Sequence, residues 1–232
     1  LDEVMSALNP SDFSKKIVIP DGSSTIGLWA KPEKPNPNLA LWLVFEDESG
    51  RIKTVSMGKL GHSDWRLHTG KLPSSGPQQE LELVSIQIFR SGVATSARAG
   101  SLWIDDIYVT TEDPDSIWAN EERILIDFEQ QSPQWVPIVT ANLSRDKFSV
   151  TNNIAYNGVR SGLFTYGTDT ALGVRGFYRS LTGSDPHIPV VISQSLSNNT
   201  GYDVGDVFFI DISGRSIPAV VKGSVDYFPT IL

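Results

Sequence analysis

Punctuation is the strongest constraint in this sequence. Between Ser14 and Thr111, short runs of strand-forming residues alternate with turn residues, and no helical periodicity lies between them. Lys15 to Ile19 ends at Pro20-Asp21-Gly22, and Thr25 to Ala30 ends in the proline-rich stretch 31–38. Leu39 to Glu46 is apolar on both faces, which predicts a central strand buried on two sides. Asp47-Glu48-Ser49-Gly50 turns the chain into Arg51 to Met57, and Trp65 to Thr69, Leu81 to Phe89 and Ser101 to Thr110 complete the set. Short strands separated by regularly spaced turn signals predict an antiparallel sandwich.

Past this region Glu112-Asp113-Pro114-Asp115 forms an acidic connector, followed by a short helical turn, and strand character resumes with Ile124, Ile126 and Phe128 on one face. Residues 148–178 are rich in Gly, Tyr and Asn. Asn157-Gly158 is a type I′ turn signal, and Phe164-Thr165-Tyr166 reads as a strand. After Gly183 the character changes. Pro189 to Ile192 is expected as a short buried strand, Ser193 as the N-cap of a brief helix through Asn198, and Gly201 as its stop. Val207 to Ile212 and Ile217 to Val225 then form a hairpin about Ser213-Gly214-Arg215. The expected fold is mainly β: an antiparallel jelly-roll β-sandwich over 1–112, a β-rich segment over 113–182 that completes or repeats it, and a partial strand-helix-hairpin α+β unit over 183–232. That last unit is too small to hold a core alone, so it is expected to pack on the rest or on sequence beyond Leu232.

Composition narrows the function. Among 232 residues, 19 Lys and Arg stand against 27 Asp and Glu, for a net charge of −8. This argues against nucleic acid or an anionic lipid surface as the main partner. The lack of cysteine removes disulfides, thiolate zinc sites and cysteine nucleophiles together. The longest apolar run, Leu39 to Phe45, falls far short of the roughly 20 residues a helix needs to cross a bilayer. The start, Leu1-Asp2-Glu3-Val4-Met5, has no signal-peptide character and reads as a cut from something longer.

Catalytic motifs are missing: there is no HExxH, no GxxxxGK[ST] and no GxSxG, and Gly173-Val174-Arg175-Gly176 lacks the strand-to-helix setting of a dinucleotide loop. His62 and His68 flank Asp64 and Trp65. A metal site would need them to converge with a carboxylate, and the plainer reading is two exposed polar residues beside a strand start. His187 is a loop residue with no evident partner. Asp105 and Asp106 are adjacent on a strand, so they point to opposite faces and cannot jointly flank a glycosidic bond. Counting from Ile107 and Val109 places Asp105 toward the core, where either a structural Ca²⁺ or backbone N–H groups could compensate it. Of the six Trp, Trp29, Trp42, Trp65 and Trp103 lie in or at strands and are expected in the core; Trp118 and Trp135, in connecting segments, are the candidates for exposure and ligand contact.

Two resemblances add to these readings. Residues 14–111 resemble the galactose-binding-like jelly roll of bacterial carbohydrate-binding modules, through 41–47 (Leu-Trp-Leu-Val-Phe-Glu-Asp), Gly50-Arg51, Asp64-Trp65-Arg66-Leu67 and the closing strand from Gly100 to Val109. Asp127-Phe128-Glu129 followed by Trp135 looks like the opening of the same fold, placed after the closing strand. The resemblance implies Asp105 and Glu129 as ligands of a structural Ca²⁺. Residues 188–230 are similar to the extracytoplasmic domain of MacB/FtsX-type ABC transporter permeases, through 188–196, Tyr202-Asp203-Val204-Gly205-Asp206, 217–225 and Phe228-Pro229-Thr230. This implies a non-catalytic extracellular domain on the outer side of a cell membrane, joined to the rest of a permease chain, served by an ATPase on a separate chain, and contacting a substrate, a glycan or a partner protein. The alternative is a secreted carbohydrate-binding module attached to a glycoside hydrolase.

Overall fold

Period-two alternation of apolar and polar residues lets a strand bury one face, and two sheets that each do so close a core between them. The structure, a computed structural model, describes residues 16–73, 80–90, 99–112, 121–129, 135–138, 146–167, 174–179, 188–212 and 215–226. Twelve of its strands form a sandwich: β1 (Val18–Ile19), β2 (Thr25–Pro32), β3 (Asn36–Asp47), β4 (Ile52–Leu60), β5 (Arg66–Lys71), β6 (Leu81–Arg90), β7 (Gly100–Thr110), β8 (Arg123–Ile126), β9 (Trp135–Pro137), β10 (Lys147–Thr151), β11 (Ser161–Tyr166) and β12 (Val174–Arg179). Sheet A runs β4-β3-β6-β12-β9 with β1 also on β6; sheet B runs β10-β11-β7-β2-β5 with β8 also on β7. All pairings in these two sheets are antiparallel.

Strands from residues 123–179 therefore join both sheets of the sandwich begun by β1 to β7. The apolar run read as a central strand is β3, which lies between β4 and β6. Leu41, Leu43 and Phe45 of β3 face Ile26, Leu28 and Ile104 of sheet B across a core in which each of these side chains is sealed from solvent. Trp135, expected to be exposed, is instead buried at 6% exposure. Its ring meets Phe177 edge-on at 5.1 Å and Phe148 at 6.3 Å, because β9 docks on β12 and turns the indole inward. Trp118 and His187 lie outside the described residues. Of the Gly173–Gly176 motif, residues 174–176 lie in strand β12, where Arg175 is buried with its guanidinium 3.2 Å from the Asp146 carboxylate.

A smaller sheet follows: β13 (Ile188–Ser193), α1 (Gln194–Thr200), β14 (Val207–Ile212) and β15 (Arg215–Val225). The expected N-cap holds, since the Leu196 amide donates to Ser193 Oγ at 3.1 Å, and Gly201 closes α1 at φ 72° with its amide on the Ser197 carbonyl. β14 and β15 form the expected hairpin, while β13 pairs in parallel with β15, giving the order β13-β15-β14. This leaves β13 at an edge, so only Ile192 of the run expected to be buried is sealed, and Val191 is 49% exposed. Ile192, Tyr202 and Val221 cluster with Ile138 and Tyr178 from the sandwich end. Among the described residues, no helix is long and apolar enough to cross a membrane.

Candidate functional site

The outward face of sheet B takes its shape from one irregularity. Along β7, Leu102 and Ile104 point into the core, so Trp103 and Asp105 point away from it. Asp106 then adopts a left-handed φ of 41°, and the β2–β7 register slips: Gly27 pairs with Tyr108, but Trp29 pairs with Asp105. The extra residue is a β-bulge, which resets the alternation and returns Ile107 and Val109 to the core. Counting back from Ile107 and Val109 therefore puts Asp105 on the wrong side; it lies on the face opposite the core. The same effect recurs in β8, whose register on β7 shifts between Ile107 and Tyr108. Ile126 and Phe128 are buried, whereas Ile124, expected on their face, is 54% exposed.

Although it points outward, Asp105 is fully buried, because residues 152–160 between β10 and β11 fold over it. Its Oδ2 accepts from the amides of Tyr156 at 2.8 Å and Asn157 at 3.2 Å, and its Oδ1 accepts from the amide of Asp106 at 3.0 Å. Burial outweighs these donors and pushes the Asp105 carboxyl up to about 6. Asp106 is also raised, by burial first and then by the charges of Asp127 and Glu129, with a hydrogen bond from the Asn157 side chain opposing.

Glu129 pins the far side of the same loop. Its Oε1 accepts from the amides of Val159 at 2.7 Å and Arg160 at 2.8 Å, while the Arg160 guanidinium donates to the Glu129 carbonyl at 3.2 Å. Gly158 must be glycine here: its φ is +65°, and a Cβ would run into the Glu129 carboxylate. Ser161 Oγ closes the loop by donating to the Ile154 carbonyl. The two expected calcium ligands are thus two pegs of one loop, and backbone N–H groups already face both Asp105 carboxylate oxygens and Oε1 of Glu129. That donor set does not fit the metal. Among the described residues, no group of three or more His, Asp or Glu side chains is arranged to hold an ion.

The pegged loop presents an aromatic cluster. Tyr156, 42% exposed, stacks on Trp29 with centroids 3.7 Å apart and planes 12° from parallel, and Trp65 meets it edge-on at 6.0 Å. Trp29 alternates with the buried Leu28 and Ala30, which puts it on the outward face, half-buried, rather than in the core as expected. That alternation within β2 was the signal available in the sequence. Gly27 leaves room beside it for Tyr108, whose ring would lie 2.5 Å from an added Cβ. At the rim, Lys31 Nζ meets Asp64 Oδ1 at 2.9 Å, and this contact holds the Asp64 carboxyl below its usual value. His62 and His68, expected to be exposed, are buried against each other behind this rim.

No protein-family model, no curated protein and no solved structure matches the chain. In chemical terms, the face offers a partly exposed flat ring and a carboxylate–ammonium pair. A surface of this kind can stack on the C–H face of a sugar or on another flat ligand while hydrogen-bonding its edge.

Proposed function

We propose that this chain is a non-catalytic recognition domain, held on the extracytoplasmic side of an ABC-transporter-type permease, with Tyr156, Trp29 and Trp65 as its ligand face. The observation that carries the reading is the loop at 152–160, which two carboxylates pin in place so that Tyr156 stays presented. Holding a contact ring in one position before binding lowers the entropy cost of recognition. The permease attachment is supported by the strand-helix-hairpin order of β13, α1, β14 and β15, and by the apolar side chains that this unit leaves exposed: Ile188, Val191, Leu196 and Val204. The ATPase would be a separate chain.

The attachment is tested by expressing the full reading frame in intact cells with Thr165→Cys, an exposed position, beside the same reading frame without that substitution as the labelling background. Labelling by a membrane-impermeant maleimide without lysis, together with recovery of the protein in the membrane fraction, is the expected result. Labelling only after lysis, or recovery in the soluble fraction, overturns it.

A second reading keeps the ligand face and changes the attachment: a secreted carbohydrate-binding module beside a glycoside hydrolase. The stacked Tyr156–Trp29 pair favours it. Titration with neutral oligosaccharides, followed by tryptophan fluorescence, is expected to give saturable binding that Tyr156→Ala abolishes. A flat response across a broad glycan panel removes the sugar reading and leaves a protein or transported solute as the ligand.

A further inference from the structure

His62 and His68 meet through their Nε2 atoms at 2.9 Å. Each ring also has its Nδ1 against a backbone carbonyl: His62 on Asp64 at 2.7 Å and His68 on Met57 at 2.8 Å. A carbonyl can only accept, so both Nδ1 atoms must carry protons. The short Nε2 contact then needs a proton of its own, because two bare lone pairs at that distance repel. Three contacts require three protons, and two neutral imidazoles carry two. Either neutral alternative, with one ring flipped to its Nε2–H tautomer, would set an Nδ1 lone pair against a carbonyl oxygen. We infer that His62 and His68 are a proton-sharing pair that holds one proton more than two neutral rings, between the two Nε2 atoms, when the protein is folded.

The surroundings bear on this pair from each side. From β4 come the Met57 carbonyl and Gly58, neither titratable, and from β2 comes Leu28, paired with His68. Lys31 of β2 is engaged by the Asp64 carboxylate, and Arg66, on β5 itself, opposes a charge on His68. Burial pulls His68 below its ordinary value, and the Met57 carbonyl pushes the other way. The pair titrates as a unit. One extra proton completes the three contacts, and a second is opposed, because two N–H groups would then face each other. All three contacts are therefore made only while the pair holds that one extra proton, and one is lost when it leaves or when a second arrives.

The pair also bears on the ligand face. His62 holds the Asp64 carbonyl, and the next residue, Trp65, packs edge-on against Tyr156. Loss of the shared proton frees one of the two carbonyl contacts at the base of that rim.

The test is ¹⁵N-resolved NMR of the histidine rings in the metal-free protein from pH 4.5 to 9, beside melting temperatures of wild type and His68→Gln over the same range. While the extra proton is held, both Nδ1 signals are expected to be of the protonated type, with a single proton shared between the Nε2 atoms; one Nδ1 loses its proton at higher pH. The wild-type melting temperature is expected to peak in mid-range, with that peak flattened in the variant. Two rings that titrate independently, or that stay neutral throughout, overturn the inference. So does a stoichiometric response of both Nε2 signals to Zn²⁺ at neutral pH that replaces the shared proton, since the site would then be a metal site. If His68→Gln fails to fold, the wild-type spectra decide alone.

Discussion

The sandwich and the three-stranded sheet solve the same burial problem with different success. Two six-stranded sheets bury one face against the other, and Leu41, Leu43 and Phe45 on one side and Ile26, Leu28 and Ile104 on the other are fully sealed. Among the described residues, the β13–β15 sheet has one seven-residue helix beside it, borrows Ile138 and Tyr178 from the sandwich for its five-residue cluster, and leaves Val191 and Val204 at 49% and 67% exposure. A small sheet with a short helix has too little surface to seal a core of its own. Among the described residues, the sandwich thus carries the large sealed core, while the small unit keeps several apolar side chains exposed.

The comparison breaks most sharply in the core. Phe164→Ala, at a site 1% exposed, is expected to cost about 4 kcal/mol in chemical denaturation. A cost below about 1 kcal/mol there would mean that the sandwich is not the stable body. Next comes Asp105→Ala, which strands three amides under the 152–160 loop and is expected to cost about 3 kcal/mol. Hydrogen exchange should show the amides of Tyr156 and Asn157 losing protection first.

The pH dependence of Asp105 sharpens the same point. Its carboxyl is raised from 3.8 to about 6, so within that window the folded protein binds more protons than the unfolded chain. Stability on this account falls as pH rises from about 4 to 6, and Asp105→Asn removes that slope in pH-resolved melting curves. Asp47 acts in the opposite sense. Hydrogen bonds from Ser49, then donors on Arg51, hold its carboxyl well below the carboxylate range, so its stabilisation is lost only as pH falls toward that low value. The smallest effect is expected in the small sheet: Ser193→Ala removes the α1 cap at a cost of about 1 kcal/mol, visible as faster exchange in α1 with the sandwich unchanged. A global loss instead would show that the two regions unfold as one.

Much of the fold was legible in the sequence because its signals are local. The unbroken apolar run at 39–45 marks an interior strand, and Ser193 and Gly201 mark the ends of α1; Asn157-Gly158 does not make the type I′ turn it signals, since Gly158 alone of the two has a positive φ and nine residues, 152–160, join β10 to β11. The site was less legible. Trp29 could be assigned outward from the alternation of β2, but nothing near Trp135 signals that β9 docks on β12 and turns its indole inward. His62 and His68 show no spacing that announces a contact; only the pairing of β5 with β2 and the approach of β4 bring them together.

What the sequence determined by itself was the class of the molecule, a mainly β chain of short antiparallel strands with a small strand-helix-hairpin unit, because strand period, turn residues and caps act over a few positions. Which side of sheet B Asp105 faces, what covers it, and which aromatic rings reach solvent were decided by tertiary structure. One bulged residue at Asp106 inverts the parity of everything counted across it, and the amides that satisfy Asp105 come from a loop about fifty residues further along the chain.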